Sequence, residues 1–186
     1  MENSLAEIRF NTLSNRAYFY DLYIVGAENL EREIFLKTYK SVPEMMELEE
    51  YIATLEAPSI RERVIPSGFF RTEDHNEKKF VAIPGKREMK NRRNRVIKNS
   101  KIGLRLFCYK LTPKTIIYLN GYKHTNKRNE RWQDTYFREK GEELQKIMGK
   151  LEECRDLKKF RMNDNGAILS PEGTEMRTLI ILKDVK

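Results

Sequence analysis

Apolar and polar positions along this chain fall into segments with distinct periods. Residues 16–25, RAYFYDLYIV, are rich in aromatic and β-branched side chains with roughly alternating polarity, and predict a first strand that Gly26 ends. From Asn29 to Tyr39, Leu30, Ile34 and Phe35 recur at helical spacing, with Asn29 as an N-cap and acids in the first turn. Ser41-Val42-Pro43 then supplies a cap and a first-turn proline for a second helix. Its stripe Met45, Met46, Leu48, Ile52 and Leu55 runs to Ala57-Pro58. The two helices make a helical hairpin whose methionines are core filler.

Residues 59–76 are polar and ambiguous, with Phe69-Phe70 as the start of an edge strand. Lys79–Ile83 is a short strand closed by the turn pair Pro84-Gly85. The run 86–101 has no apolar face and is read as a long loop or an exposed helix that orders on a partner. The strongest β pattern follows: GLRLFCYKL (103–111) and KTIIYLNGY (114–122) are two strands joined at Thr112-Pro113. In the first, Leu104, Leu106 and Cys108 alternate with Arg105, Phe107 and Tyr109.

From Asn129 to about Lys159 a long amphipathic helix is predicted, with Trp132, Tyr136, Phe137, Leu144, Ile147, Met148, Leu151 and Cys154 on one stripe. The tail holds Asp164-Asn165-Gly166 and Pro171-Glu172-Gly173 as turns around the apolar runs AIL and TLIIL, and is read as a terminal hairpin. Strands cluster instead of alternating with helices, so the predicted class is α+β. The division that follows is residues 1–128 as one domain with a basic insertion at 86–101, and 129–186 as a helix-and-hairpin extension.

Composition adds a partner class. The chain has 186 residues, 39% hydrophobic and 34% charged, and carries a formal net charge of +8. At this size folding buries roughly 70% of the unfolded surface, so no disulfide or metal staple is needed. Cys108 and Cys154 match no metal spacing and are read as reduced. No apolar run approaches the roughly 20 residues that span a bilayer. The start MENSLAEIRF lacks the apolar stretch of a signal peptide, so a cytoplasmic protein without membrane contact is expected.

The charge is unevenly distributed. Between Lys86 and Lys101 stand eight basic residues, Lys86, Arg87, Lys90, Arg92, Arg93, Arg95, Lys98 and Lys101, against one acid, Glu88. A second cluster, Lys123, Lys127, Arg128 and Arg131 with His124, follows the hairpin. A single charge run is as well explained by a solvated face. Two runs flanking one apolar hairpin point to a surface for a polyanion.

Several chemistries find no residues. There is no Walker loop and no GxGxxG fingerprint. CxxC and HExxH are also absent, so neither a cofactor nor a metal site is expected. Glu44, Glu47 and Glu49, like Glu142, Glu143, Glu152 and Glu153, are read as solvated helix faces. What remains is Gly121-Tyr122-Lys123-His124-Thr125 at the exit of the last strong strand, facing Arg105. RNA cleavage without a metal needs one group to take the 2′-OH proton, another to protonate the leaving 5′-oxygen, and cations for the charge on phosphorus. Histidine suits the proton transfer and arginine the phosphate. A surface strand end with Tyr122 packed on the core explains the same residues without chemistry.

The segments KFVAIPG, LRLFCYK and IIYLNGYKHT resemble the second half of the RelE/HigB-type toxin family of bacterial toxin–antitoxin systems. The upstream strand and helical hairpin come in that family's order, so the resemblance covers about residues 16–125. It implies a small twisted antiparallel sheet with two helices on one face, and a messenger-RNA endonuclease acting at the ribosome and neutralised by an antitoxin. Arg105 would contact the scissile phosphate, while Tyr122, Lys123 and His124 would supply stacking and acid/base chemistry. Family members run near 100 residues, so 86–101 and everything past about 130 are additions. Two other readings stay open. One is a non-catalytic RNA- or DNA-binding protein that docks 86–101, Lys127 and Arg128 on phosphate and stacks bases on Tyr109, Tyr118 and Tyr122. The other is an interaction protein whose long helix packs on a partner.

Overall fold

A computed structural model describes residues 4–14, 17–57, 65, 67–72, 79–85, 89–90, 96–97, 103–123 and 131–183. In chain order the elements are β1 (Ser4–Leu13), β2 (Tyr18–Ile24), α1 (Glu31–Thr38) and α2 (Met45–Glu56). Then come β3 (Arg71–Thr72), β4 (Phe80–Ile83), β5 (Met89–Lys90), β6 (Val96–Ile97), β7 (Leu104–Thr112) and β8 (Thr115–Lys123). The chain continues through α3 (Arg131–Asp156), β9 (Arg161–Met162), β10 (Ile168–Leu169) and β11 (Thr178–Leu182).

One seven-stranded sheet in the order β11-β1-β2-β8-β7-β4-β3 organises the fold. It corrects the expected small antiparallel sheet. The pair β2·β8 is parallel, from Tyr18↔Thr115 to Asp21↔Tyr118, while the other pairs in the sheet are antiparallel. The architecture is therefore mixed α/β in three layers. β8 is buried along nearly its whole length and carries the continuous apolar run Ile116-Ile117-Tyr118-Leu119, as a strand covered on both faces should.

The helices account for that double burial. Phe19, Leu106, Cys108, Ile116 and Tyr118 face α1 and α2, and pack with Phe35, Leu48, Tyr51 and Leu55. Tyr20, Leu22, Tyr109, Ile117 and Leu119 face the other way, onto Leu144, Ile147, Met148 and Leu151 of α3. Each fully buried Leu, Ile or Phe contributes roughly 1.5–3 kcal/mol. The helical hairpin thus covers one face only, and α3 is the second layer of the core instead of an extension beside a finished sheet.

The tail is likewise integral. β11 pairs with β1 from Ser4↔Leu182 to Arg9↔Thr178, and only β9 and β10 form a local hairpin. Ile168 and Ile181 are completely buried. The Tyr20 hydroxyl accepts from the Ile168 amide at 3.0 Å, and Thr115 donates to the Gly166 carbonyl at 2.8 Å. Gly166 has φ +96°, and a Cβ there would meet the Lys114 carbonyl oxygen at 2.3 Å, so only glycine fits this closure.

Smaller corrections are local. Leu30, not Asn29, is the N-cap of α1, and Asn29 accepts instead from the Lys37 ammonium at 2.7 Å. α2 begins at Met45 behind Glu44, past Pro43. Glu152 is no solvated side chain: it accepts from Lys79 at 2.6 Å and from the Tyr109 hydroxyl at 2.7 Å. Among the described residues no helix is long and apolar enough to cross a membrane.

Candidate functional site

β2 and β8 pair in parallel only as far as Asp21↔Tyr118, yet β2 continues to Ile24 and β8 to Lys123. Past that point their carboxyl ends are unpaired with each other. The chain leaves β2 for α1 on one face and β8 for α3 on the other. Neighbouring parallel strands whose following helices take opposite faces form a topological switch point, where open α/β sheets bind ligands.

Three polar side chains from three elements meet there. Glu31 opens α1 and its side chain is 2% exposed. Asn120 of β8 donates to it at 2.6 Å, and Lys140 of α3 donates at 3.0 Å while also holding Glu143 at 2.8 Å. Asn120 turns its amide oxygen to the Gly121 amide at 2.7 Å. Lys140 titrates above its ordinary value: burial opposes the charge, but the two carboxylates outweigh it. This group joins both helical layers to the end of β8.

A second buried group lies under α1 and α2. Arg32 pairs with Asp21 at 2.9 Å and with Glu56 at 3.2 Å, and its guanidinium sits 4.9 Å from the Tyr118 ring centre. Burial lifts the Asp21 carboxyl to about 6 against the pull of Arg32. Burial likewise raises Glu56 and carries Tyr118 well above its usual range.

The hairpin residues singled out from the sequence stand at the same end of the sheet. Arg105 and Tyr122 are direct cross-strand partners, so their side chains share one face. Arg105 is only 7% exposed, and its guanidinium donates to the Leu104 carbonyl at 2.8 Å. Beside it runs an aromatic row over three strands. Phe80 and Phe107 are 5.3 Å apart between ring centres, and Phe107 and Tyr122 are 5.4 Å apart. Tyr122 and Phe107 are half-buried and keep part of their surface outward.

Lys123 pairs with Leu104 across the hairpin and reaches Glu44, the N-cap of α2, at 3.9 Å, on the opposite face from Arg105. His124, Lys127 and Arg128 lie outside the described residues, as do Lys86, Arg87, Arg92, Arg93, Arg95, Lys98 and Lys101. Lys90 belongs to β5, which pairs with β6 in a small hairpin of its own. Tyr109 and Tyr118, expected as stacking faces, are 3% and 0% exposed and belong to the core.

Sequence reasoning passed over Phe107, although alternation puts it on the face of Arg105. It also passed over Asp21 and Asn120, whose signal was a polar residue inside an otherwise apolar strand. Glu31 and Lys140 gave no such signal, since a charged residue on a helix is ordinarily solvated. No family model matches the chain, and neither a curated protein nor a solved structure matches it.

Proposed function

We propose that the chain is a toxin-like endoribonuclease that cuts messenger RNA without a metal, in the cytoplasm and in association with the ribosome, under the control of an antitoxin. One observation carries this reading: Arg105 and Tyr122 oppose each other beside the Phe80–Phe107–Tyr122 row at the carboxyl end of β8. A guanidinium beside partly exposed rings suits a phosphate with its neighbouring base stacked alongside. The second basic cluster of the sequence, Lys127, Arg128 and Arg131 with His124, follows β8 directly, where the polyanion would extend. The adjacent antiparallel pairing of β7 and β8 fits the hairpin on which the resemblance rests, while the seven-stranded sheet with its parallel β2·β8 pair departs from the fold that resemblance implies.

In this assignment Arg105 stabilises the charge on phosphorus in the transition state. His124, two residues past Tyr122, takes the 2′-OH proton, and Tyr122 beside the stacked base donates a proton to the leaving 5′-oxygen. Lys123 is left to the opposite face and takes no part.

The test is cleavage of messenger RNA by purified protein, with and without ribosomes, alongside growth after induction in cells. Arg105→Ala should lose about 10²-fold or more in rate. Arg105→Lys, which keeps the charge without the bidentate fork, should recover only part of it. Thermal melts of both variants separate lost chemistry from lost fold. An Arg105→Ala protein that cleaves as fast as the wild type would refute the assignment.

The burial of Arg105 and its bond to the chain's own carbonyl favour a second reading, a protein that binds RNA or DNA without cutting it. Here the basic segment alone carries affinity. Replacing Arg92, Arg93 and Arg95 by Ala should lower the salt slope of binding by roughly one unit per lost phosphate contact. An unchanged slope would show that these residues face solvent only.

A further inference from the structure

The two edges of the sheet are unlike. At one end stands β3, two residues long and opened by Arg71, a short charged edge of the kind that resists pairing. At the other stands β11, Thr178-Leu179-Ile180-Ile181-Leu182, five residues without charge, proline or glycine. Leu179 and Ile181 point into the core, while Ile180 is 50% and Leu182 42% exposed on the opposite face. The core cluster under α1 and α2 takes no residue from β11 or β1; α2 reaches β1 at Asn11, and beside Ile180 and Thr178 the open face carries the ion pair of Glu7 with Arg9. Along the outer edge of β11 runs a mainly apolar recess of about 310 Å³, lined by Cys154, Lys159 and Met176 together with Leu179, Ile180 and Leu182 of the strand itself, and Leu157 nearby in sequence is 53% exposed. The strand thus presents its own apolar side chains Ile180 and Leu182 at the edge, and among the described residues its outer row of backbone N–H and C=O groups has no neighbouring strand in the sheet.

We infer that two copies of this chain join edge to edge through β11, in antiparallel pairing, to make one continuous sheet. A two-fold interface uses the same patch on both partners, so the patch must complement itself. An uncharged apolar strand does so, whereas a charged one would oppose itself. The flanking charges select the register. Centring the two-fold on Ile180 would set Arg177 across from Lys183 of the second copy, and like charges directly opposite are unfavourable. Centring it on Ile181 removes that clash and places Ile180 across from Leu182 of the second copy. Both side chains lie on the open face, where each covers the other.

The whole chain carries +8, so the two copies repel at a distance and association through an uncharged strand should tighten with salt. The test is sedimentation equilibrium of the full chain from low to high micromolar concentration, at about 0.05 M and about 0.5 M salt. The wild type should dimerise, more tightly at the higher salt. Ile180→Lys should weaken the dimer about tenfold or more, and at concentrations where the wild type is monomeric it should melt at the same temperature, because the residue is half-exposed. A mixture of Ile180→Lys with Leu182→Glu should restore a dimer by setting opposite charges across the proposed register. Amide exchange at 178–182 in the wild type should slow as concentration rises, a readout that needs no variant. A wild type that stays monomeric throughout, with the edge free or taken by another protein, would overturn the inference. So would an Ile180→Lys dimer as tight as the wild type, or a mixture that fails to associate.

Discussion

Replacing Lys140 by Met tests whether the polar group at the end of β8 holds the two helical layers together. Lys140 has 19% of its side chain exposed and Glu31 only 2%, so removing the ammonium strands a nearly buried carboxylate. Breaking a buried pair this way costs roughly 3–5 kcal/mol when nothing else compensates. Here Asn120 still donates to Glu31 at 2.6 Å, and Lys140 is not wholly dry, so about 2–3 kcal/mol is expected. For a chain of this size that lowers the melting temperature by roughly 5–10 °C. Glu31→Gln keeps the shape and can still accept from Asn120, while Lys140 retains Glu143, so it should cost about 1 kcal/mol. The double variant should then lose about 1–2 kcal/mol less than the sum of the two. Urea unfolding followed by circular dichroism measures all three. A Lys140→Met protein within about 0.5 kcal/mol of the wild type, or strictly additive losses, would show that the contact contributes nothing to joining the layers.

Other outcomes follow from the same framework. Truncation after Phe160 removes Ile168, Leu179 and Ile181 from the core and bares β1, so cooperative unfolding should be lost; a truncated chain that melts in one sharp transition would contradict the place given to β11. Burial raises Asp21 from 3.8 to about 6, so its carboxyl favours the fold below its unfolded value and that contribution is lost as pH rises through about 6. Glu152, lowered by Lys79 and Tyr109 despite its burial, acts in the opposite sense, so the informative quantity is the difference between wild type and Asp21→Asn. That difference should change by roughly 1–3 kcal/mol between about pH 4 and about pH 7, with Asp21→Asn gaining relative stability as pH rises; a flat difference would refute the shift.

The local elements were legible where periodicity and burial agree. The hairpin 103–122 showed itself because Leu104, Leu106 and Cys108 point to one core while Arg105, Phe107 and Tyr109 point to the other side. In β1, Ala6, Ile8 and Phe10 alternate with Glu7, Arg9 and Asn11, a period-two pattern legible in the sequence, but its pairing with β2 and β11 is not. TLIIL reads as uniformly apolar, and no local pattern says that Leu179 and Ile181 turn inward in a sheet begun at Ser4. The parallel pairing of β2 with β8 is equally invisible. It depends on which distant strand fills a place in the sheet, and that is decided by packing on both faces. The α+β expectation failed at that step: strands did cluster in sequence, but the chain crosses α1 and α2 before β8 returns beside β2.

The site was legible only in part, for a related reason. Period-two alternation is enough to put Arg105 and Tyr122 on one face, and it separates Lys123 from them. It cannot say how deep Arg105 lies, because depth is set by packing between elements that are distant in sequence. Gly121 joins these levels. A Cβ there would stand 2.2 Å from the Arg105 carbonyl oxygen and 2.7 Å from the Phe35 ring, so β7, β8 and α1 approach this closely only around a glycine. Asn120 holds the Gly121 amide and ties it to Glu31, and through Glu31 to Lys140 of α3. The end of β8 is thus fixed from both faces of the sheet immediately before the segment that carries His124 and the second basic cluster. A strand end fixed in this way can present Arg105 and Tyr122 in one geometry to a ligand arriving along that segment. Topology and the hairpin residues point to the same end of the sheet by separate routes, because the switch point is defined by the parallel β2·β8 pair and the opposite faces taken by α1 and α3, and would stand whatever side chains occupied 105 and 122.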